Sequence, residues 1–190
     1  IDTYEVADGM GMDKRIGRAF LDSGIGWGGS CFPKDTKALV RWSEEIKEEL
    51  NIVRSAIVVN EKQPLKAVEL LRKHLPSLKG KTIGVLGLAF KPDTDDVRDS
   101  RSIPIVEKLL EEGATVKVFD PKAMDNFKKV FPHITYCSSA VEVLEDCEAV
   151  LILTKWDEFR KLDYSGKIVV DGRRVLEAKK TARIYEGVCW

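Results

Sequence analysis

The chain has 190 residues, 44% of them hydrophobic, which is enough to build a core as one large domain or two small ones. Its 31 basic and 31 acidic side chains cancel, so there is no global electrostatic footprint for nucleic acid or an anionic membrane, and any bound phosphate needs a local cluster of cations. The four cysteines, at 31, 137, 147 and 189, form no Cys-x-x-Cys pair and have no histidine at metal-ligand spacing, which argues against a zinc site and against a disulfide framework. Reduced thiols and the lack of a signal peptide point to the cytoplasm, and apolar runs such as Ala149-Val150-Leu151-Ile152-Leu153 are too short to cross a bilayer. The opening Ile1-Asp2-Thr3-Tyr4 has no initiator methionine and reads as the middle of a helix, as in a fragment or a processed chain.

Residues 1 to about 44 are rich in glycine and charge and contain the densest chemistry in the chain. Residues 24 to 35 read Gly-Ile-Gly-Trp-Gly-Gly-Ser-Cys-Phe-Pro-Lys-Asp. Glycines at 26, 28 and 29 permit left-handed turns and close approach of a ligand to the backbone, and they deliver Cys31 with Lys34 and Asp35 close behind. Pro33 and the run after it predict a helix starting at the turn, whose N-terminal dipole would favour a thiolate. A lone cysteine is more often a small buried hydrophobe, so the weight rests on the combination of glycines, thiol, cation and carboxylate.

From Asp35 to about Leu75 the apolar residues Leu39, Trp42, Ile46, Leu50, Val53, Ile57, Val68 and Leu71 predict a long helix, kinked or restarted at Pro64. So much apolar surface on one helix suits a dimer contact or a connector between domains. Pro76 to Gly80 reads as a linker, dividing a helical unit, 1–78, from an α/β unit, 79–190.

Strands are predicted at 82–87, 114–119, 134–136, 149–153 and 168–170, with helices at 102–112, 122–130 and 139–145 between them. This alternation predicts a doubly wound, mostly parallel, Rossmann-like sheet. Ligands in such a sheet sit at the carboxyl ends of the strands, so the loops that begin at Gly87, Asp120, Thr154 and Asp171 are the ones to watch. The glycines of Gly84-Val85-Leu86-Gly87-Leu88-Ala89-Phe90 do not complete a dinucleotide fingerprint, and no acidic residue is evidently placed for a ribose. The loop from Phe90 to Ser100 offers a ring and two cations, Lys91 and Arg98, beside a helix N-terminus, suiting a nucleotide diphosphate or simply solvent. His74 and His133 have no partner in sequence and read as structural or solvated.

Gly28-Gly29-Ser30-Cys31-Phe32-Pro33-Lys34-Asp35 resembles the signature of the UDP-glucose dehydrogenases, within the NAD-dependent nucleotide-sugar dehydrogenase family. Tyr4 to Gly9, Asp13 to Gly17, and Phe20-Leu21 follow the family in the same order, and Gly87 to Arg98 resembles its second signature. The resemblance implies oxidation of UDP-glucose to UDP-glucuronate by two hydride transfers to NAD, through a thiohemiacetal and then a thioester on Cys31. It implies that Asp35, with a water, serves as general base or orienter and that Lys34 adds positive potential. By the same resemblance, Phe20, Leu21, Gly24, Trp27 and Gly28 belong to the stretch that cradles sugar and phosphates. Phe90, Lys91 and Arg173 would contact the substrate, Arg98 would reach toward NAD, and Arg15 would reach the substrate of a neighbouring subunit. Without the resemblance, Arg15 and the Arg173-Arg174 pair read as surface charge. Trp27 departs from the phenylalanine or tyrosine frequent there.

The resemblance further implies a homodimer through the central helix, and NAD held mainly by an N-terminal domain that the chain lacks, together with the segment that supplies a catalytic lysine and asparagine. The chain is therefore expected to hold UDP but not to complete the reaction alone. Action on GDP-mannose or UDP-N-acetylmannosamine stays open, as does a non-catalytic role in nucleotide-sugar binding or dimerisation.

Overall fold

Short runs in which every residue is apolar build the centre of the protein, which is described over residues 1–190 by a computed structural model. Strands β1 (Thr82–Leu86), β2 (Thr115–Phe119), β3 (Thr135–Tyr136), β4 (Ala149–Ile152), β5 (Ile168–Asp171) and β6 (Ile184–Gly187) form one sheet in the order β3-β2-β1-β4-β5-β6. Every ladder is parallel. The side chains divide with the pleat: Ile83, Val85, Ala149, Leu151, Ile168 and Val170 enter one core, while Leu86, Val150, Ile152 and Val169 enter the other. Strands β4 and β5 and most of β1 are buried on both faces and read as near-continuous apolar runs, whereas β2 alternates, with only Val116 and Val118 buried.

The first core is covered by α4 (Leu65–His74) and α5 (Ser102–Glu111), through Ala67, Val68, Leu71, Ile105, Val106 and Leu109. The short helix α6 (Met124–Lys128) adds Phe127 on this face. On the second face lie α7 (Ala140–Leu144) and two 3₁₀ turns, Asp157–Lys161 and Leu176–Lys180, which contribute Val143, Phe159 and Ala178. The order reverses between β1 and β4, so their carboxyl ends diverge and open a crevice.

Ahead of the sheet come α1 (Thr3–Gly11), the glycine-rich stretch, α2 (Phe32–Glu45) and α3 (Asn51–Lys62). The predicted single long helix is three helices. After α2 the N–H of Lys47 bonds to Glu44 O and that of Glu48 to Ser43 O, with Lys47 at φ 60°. This is a Schellman stop with a lysine where glycine is usual, and the apolar periodicity conceals it. The expected restart at Pro64 is present, as Pro64 caps α4. The helical pattern at Thr3 starts rather than continues there, since the Asp2 carboxylate accepts the Tyr4 N–H at 2.9 Å. The edge strand β6 was not predicted, because Ile-Tyr-Glu-Gly is short and only half-buried. No helix is long and apolar enough to cross a membrane.

Candidate functional site

The glycine-rich stretch is fastened to the sheet by Ile25, which is fully buried in the first core although it lies outside every regular element. Around it, each glycine is a point of close approach. A Cβ on Gly24 would stand 2.5 Å from the Gly172 carbonyl oxygen, and one on Gly29 would stand 2.7 Å from the Phe90 ring. Gly29 has φ 85° and its N–H bonds to Arg98 O at 2.9 Å. The stretch therefore lies directly against two loops from the carboxyl ends of β1 and β5.

Where these segments meet there is an open cleft of about 740 Å³. Of the residues expected at the site, it collects Phe20, Gly24, Trp27, Gly28, Phe90 and Arg173. Phe20 is 92% exposed at φ 68°, so its ring is held out of the core. Arg173 is half-buried, and its Nε donates to Leu153 O at 2.8 Å. Burial pulls its guanidinium down to about 10, which still leaves a cation at neutral pH. The loop that carries it is organised by Asp171, fully buried, whose carboxylate accepts the Arg173 N–H at 2.8 Å and the Tyr185 hydroxyl at 2.7 Å. Burial raises Asp171, and these donors oppose the rise.

Cys31 is exposed and stands at the N-cap of α2 without its side chain capping the helix. Cys31 does not itself line the cleft, although Gly28 and Phe32, on either side of it in the chain, do. Lys34 pairs with Asp35 at 2.5 Å, and this pairing raises Lys34, with a smaller contribution from Cys31. Arg98 pairs with Asp96 at 2.7 Å and is raised by it, again with a small contribution from Cys31. Both cations are thus engaged by carboxylates, Lys34 by Asp35 and Arg98 by Asp96. Lys91 lies over the Phe90 ring at 5.5 Å. Arg15 is bound to Asp13 at 2.7 Å in solvent, and neither it nor Leu21 lines the cleft. Lys34, Asp35, Lys91 and Arg98 likewise stay outside its lining.

Sequence reasoning did not single out Asn60, Gln63 or Cys189, all of which line the cleft. The two amides follow the apolar Ile57-Val58-Val59 with nothing local to mark them, and Cys189 gave no signal either. His74, expected to be structural or solvated, meets Glu186 at 2.8 Å.

The turn after β1 occupies the position of a dinucleotide fingerprint but is closed from within. The Asp120 carboxylate, buried at the end of β2, accepts from Leu88 N at 2.7 Å and Ala89 N at 3.1 Å, and from Trp156 Nε1 at 3.2 Å. Those N–H groups are the ones a pyrophosphate would need, so this turn does not fit a dinucleotide. Arg98, expected to reach toward such a cofactor, is exposed, and its guanidinium is held by the Asp96 carboxylate at 2.7 Å.

A parallel sheet whose strand order reverses, with a cleft walled by glycine backbone, aromatic rings and an arginine at its carboxyl ends, defines a doubly wound α/β protein. Family models narrow the class. Residues 1–62 match the central domain, and residues 84–178 the UDP binding domain, of the UDP-glucose/GDP-mannose dehydrogenase family. The chain belongs to that family.

It is 44% identical, over 95% of its length, to UDP-glucose 6-dehydrogenase AglM of Haloferax volcanii, and 38% identical, over 98%, to UDP-glucose 6-dehydrogenase TuaD of Bacillus subtilis. In each case it spans 43% of the relative. Among solved structures, a UDP-glucose dehydrogenase from the hyperthermophilic archaeon Pyrobaculum islandicum superposes with TM-score 0.96 at 49% identity, over all of this chain and 44% of that one. A GDP-mannose dehydrogenase from Pseudomonas aeruginosa superposes with TM-score 0.81 at 28% identity, over 98% of this chain and 45% of that one.

Proposed function

We propose that residues 1–190 hold the substrate and supply the thiol of an NAD-dependent UDP-glucose 6-dehydrogenase, which converts UDP-glucose to UDP-glucuronate. The observation that carries this reading is the convergence of Phe20, Gly24, Trp27, Gly28, Phe90 and Arg173 on one cleft, with the exposed Cys31 in the turn between two of its lining residues, Gly28 and Phe32. In this division of labour, residues 79–190 grip the UDP half, residues 1–78 present the thiol, and α4 belongs to both through its packing on the sheet. Arg173 meets the diphosphate as a cation that burial has already stripped of much of its water. Phe90 and Phe20 provide flat apolar surface for the base or sugar, and Lys91 adds charge at the mouth.

NAD, bound by the whole protein, supplies the hydride acceptor for both oxidations. At the aldehyde stage, Cys31 Sγ adds to the C6 carbonyl carbon and forms a C–S bond, and the oxygen takes a proton, giving a thiohemiacetal. Once this is oxidised to the thioester, water attacks the acyl carbon, the C–S bond breaks, and the carboxylate leaves while the thiol is regenerated. Positive potential at the sulfur comes from the N-terminus of α2, from Lys34 and from Arg98. Asp35 is the nearest carboxylate in sequence to orient the hydrolytic water, and it must exchange its pairing with Lys34 to do so.

The test is Cys31→Ser in the whole protein, assayed with UDP-glucose, GDP-mannose and UDP-N-acetylmannosamine. Formation of the acid from UDP-glucose is expected to fall by on the order of 10³-fold or more, the scale seen when a covalent nucleophile is removed. Full turnover to the acid by the variant contradicts the assignment of the nucleophile. Preference for either other sugar contradicts the assignment of the substrate.

A further inference from the structure

We propose that Asn60 and Gln63 are positioning residues that lock the turn from Gly24 to Gly28 in its ligand-binding shape, an inference that rests on the functional reading above. Helix α3 buries a single residue, and that residue is the polar Asn60, 6% exposed. An amide is expensive to bury without partners, so its hydrogen bonds explain why it is there. Asn60 Oδ1 accepts the Trp27 N–H at 2.7 Å, and Asn60 Nδ2 donates to Trp27 O at 3.1 Å. One side chain thus holds both backbone groups of a single residue. Three positions on, Gln63 Nε2 donates to Gly24 O at 2.9 Å and to Cys189 Sγ at 3.2 Å.

The two amides pin the turn on either side of Ile25, which is itself fully buried. Between the pins, Gly26 has φ 99°, and a Cβ there would come 2.5 Å from Asn60 Oδ1. The amide fills the space that the glycine leaves empty. Both pinned residues, Gly24 and Trp27, line the cleft, as do Gly26 between them and both amides. A contact serving stability alone has no reason to gather on the ligand-facing backbone. The geometry instead resembles a supporting layer behind a preorganised binding surface.

The experiment uses residues 1–190, titrated with UDP by calorimetry, together with amide hydrogen exchange read at residues 24–28 and in strands β1 and β4. Asn60→Ala and Gln63→Ala are each expected to weaken UDP binding about tenfold or more, since a buried partner is left unsatisfied. Exchange at the Trp27 amide should quicken in Asn60→Ala while β1 and β4 stay protected. Asn60→Asp keeps the acceptor for the Trp27 N–H and should restore protection there, binding UDP more tightly than Asn60→Ala. If Asn60→Ala does not fold, Asn60→Asp and Gln63→Ala carry the comparison. UDP affinity within twofold of the unmodified chain in the folded variants overturns the inference, as does protection lost evenly across the sheet. Failure of the unmodified chain to bind UDP overturns the functional reading, and this inference with it.

Discussion

A methyl group on Gly28 would collide with the carbonyl oxygen of Asp99 and crowd the Phe90 side chain, so this position tests how tightly the turn is seated. The neighbour in the way is backbone, which cannot swing aside as a side-chain end could. Gly28→Ala is therefore expected to destabilise the fold by about 1–3 kcal/mol, the usual cost of overpacking. At about 2–4 °C per kcal/mol for a chain of this size, thermal denaturation should show a clear drop in Tm. An unchanged Tm would mean that the turn and the Phe90–Asp99 loop are not in contact. Ile25 acts in the opposite sense, since full burial of such a side chain contributes about 1.5–3 kcal/mol and ties a segment without regular structure to the core. In the sequence Ile25 is one apolar letter among glycines, and nothing local marks it as an anchor.

The elements were legible where burial is two-sided or periodicity is long. Strands β1, β2, β4 and β5 and helix α5 read directly from their apolar patterns, whereas β6 did not, as an edge strand needs few apolar residues. The break between α2 and α3 was hidden because a Schellman stop is made of backbone geometry, with Lys47 in place of the glycine that would have announced it. Those two helices leave Leu39, Trp42 and Ile52 exposed at 44%, 57% and 87%. We propose that a second copy of the chain covers this surface, in line with the expected homodimer. Sedimentation equilibrium should give twice the chain mass, and Trp42→Glu should shift the balance toward monomer. Monomeric behaviour of the unmodified chain at high micromolar concentration contradicts the proposal.

Taken whole, the molecule joins a thiol-bearing helical arm to a nucleotide-type sheet through Ile25, the glycines against Phe90 and Gly172, the Asp2–Arg174 ion pair and the packing of α4 on the sheet. The expected ligand residues Phe20, Gly24, Trp27, Gly28, Phe90 and Arg173 were named through the resemblance of their segments to a known family; without it Arg173 read as surface charge. Their supports were not named. Asn60, Gln63, Asp120 and Asp171 act within a single loop or across 14 to 126 residues, and such pairings leave no local trace in a sequence. The central claim is that this chain grips the UDP half of a nucleotide sugar between Phe90 and Arg173. Calorimetric titration of residues 1–190 with UDP tests it most directly, alongside uridine and the Arg173→Ala variant. One UDP bound per chain, weaker binding of uridine, and at least a tenfold loss in Arg173→Ala are predicted, the scale of a hydrogen bond to a charged group. No heat with UDP, or binding unaffected by Arg173→Ala, would contradict it.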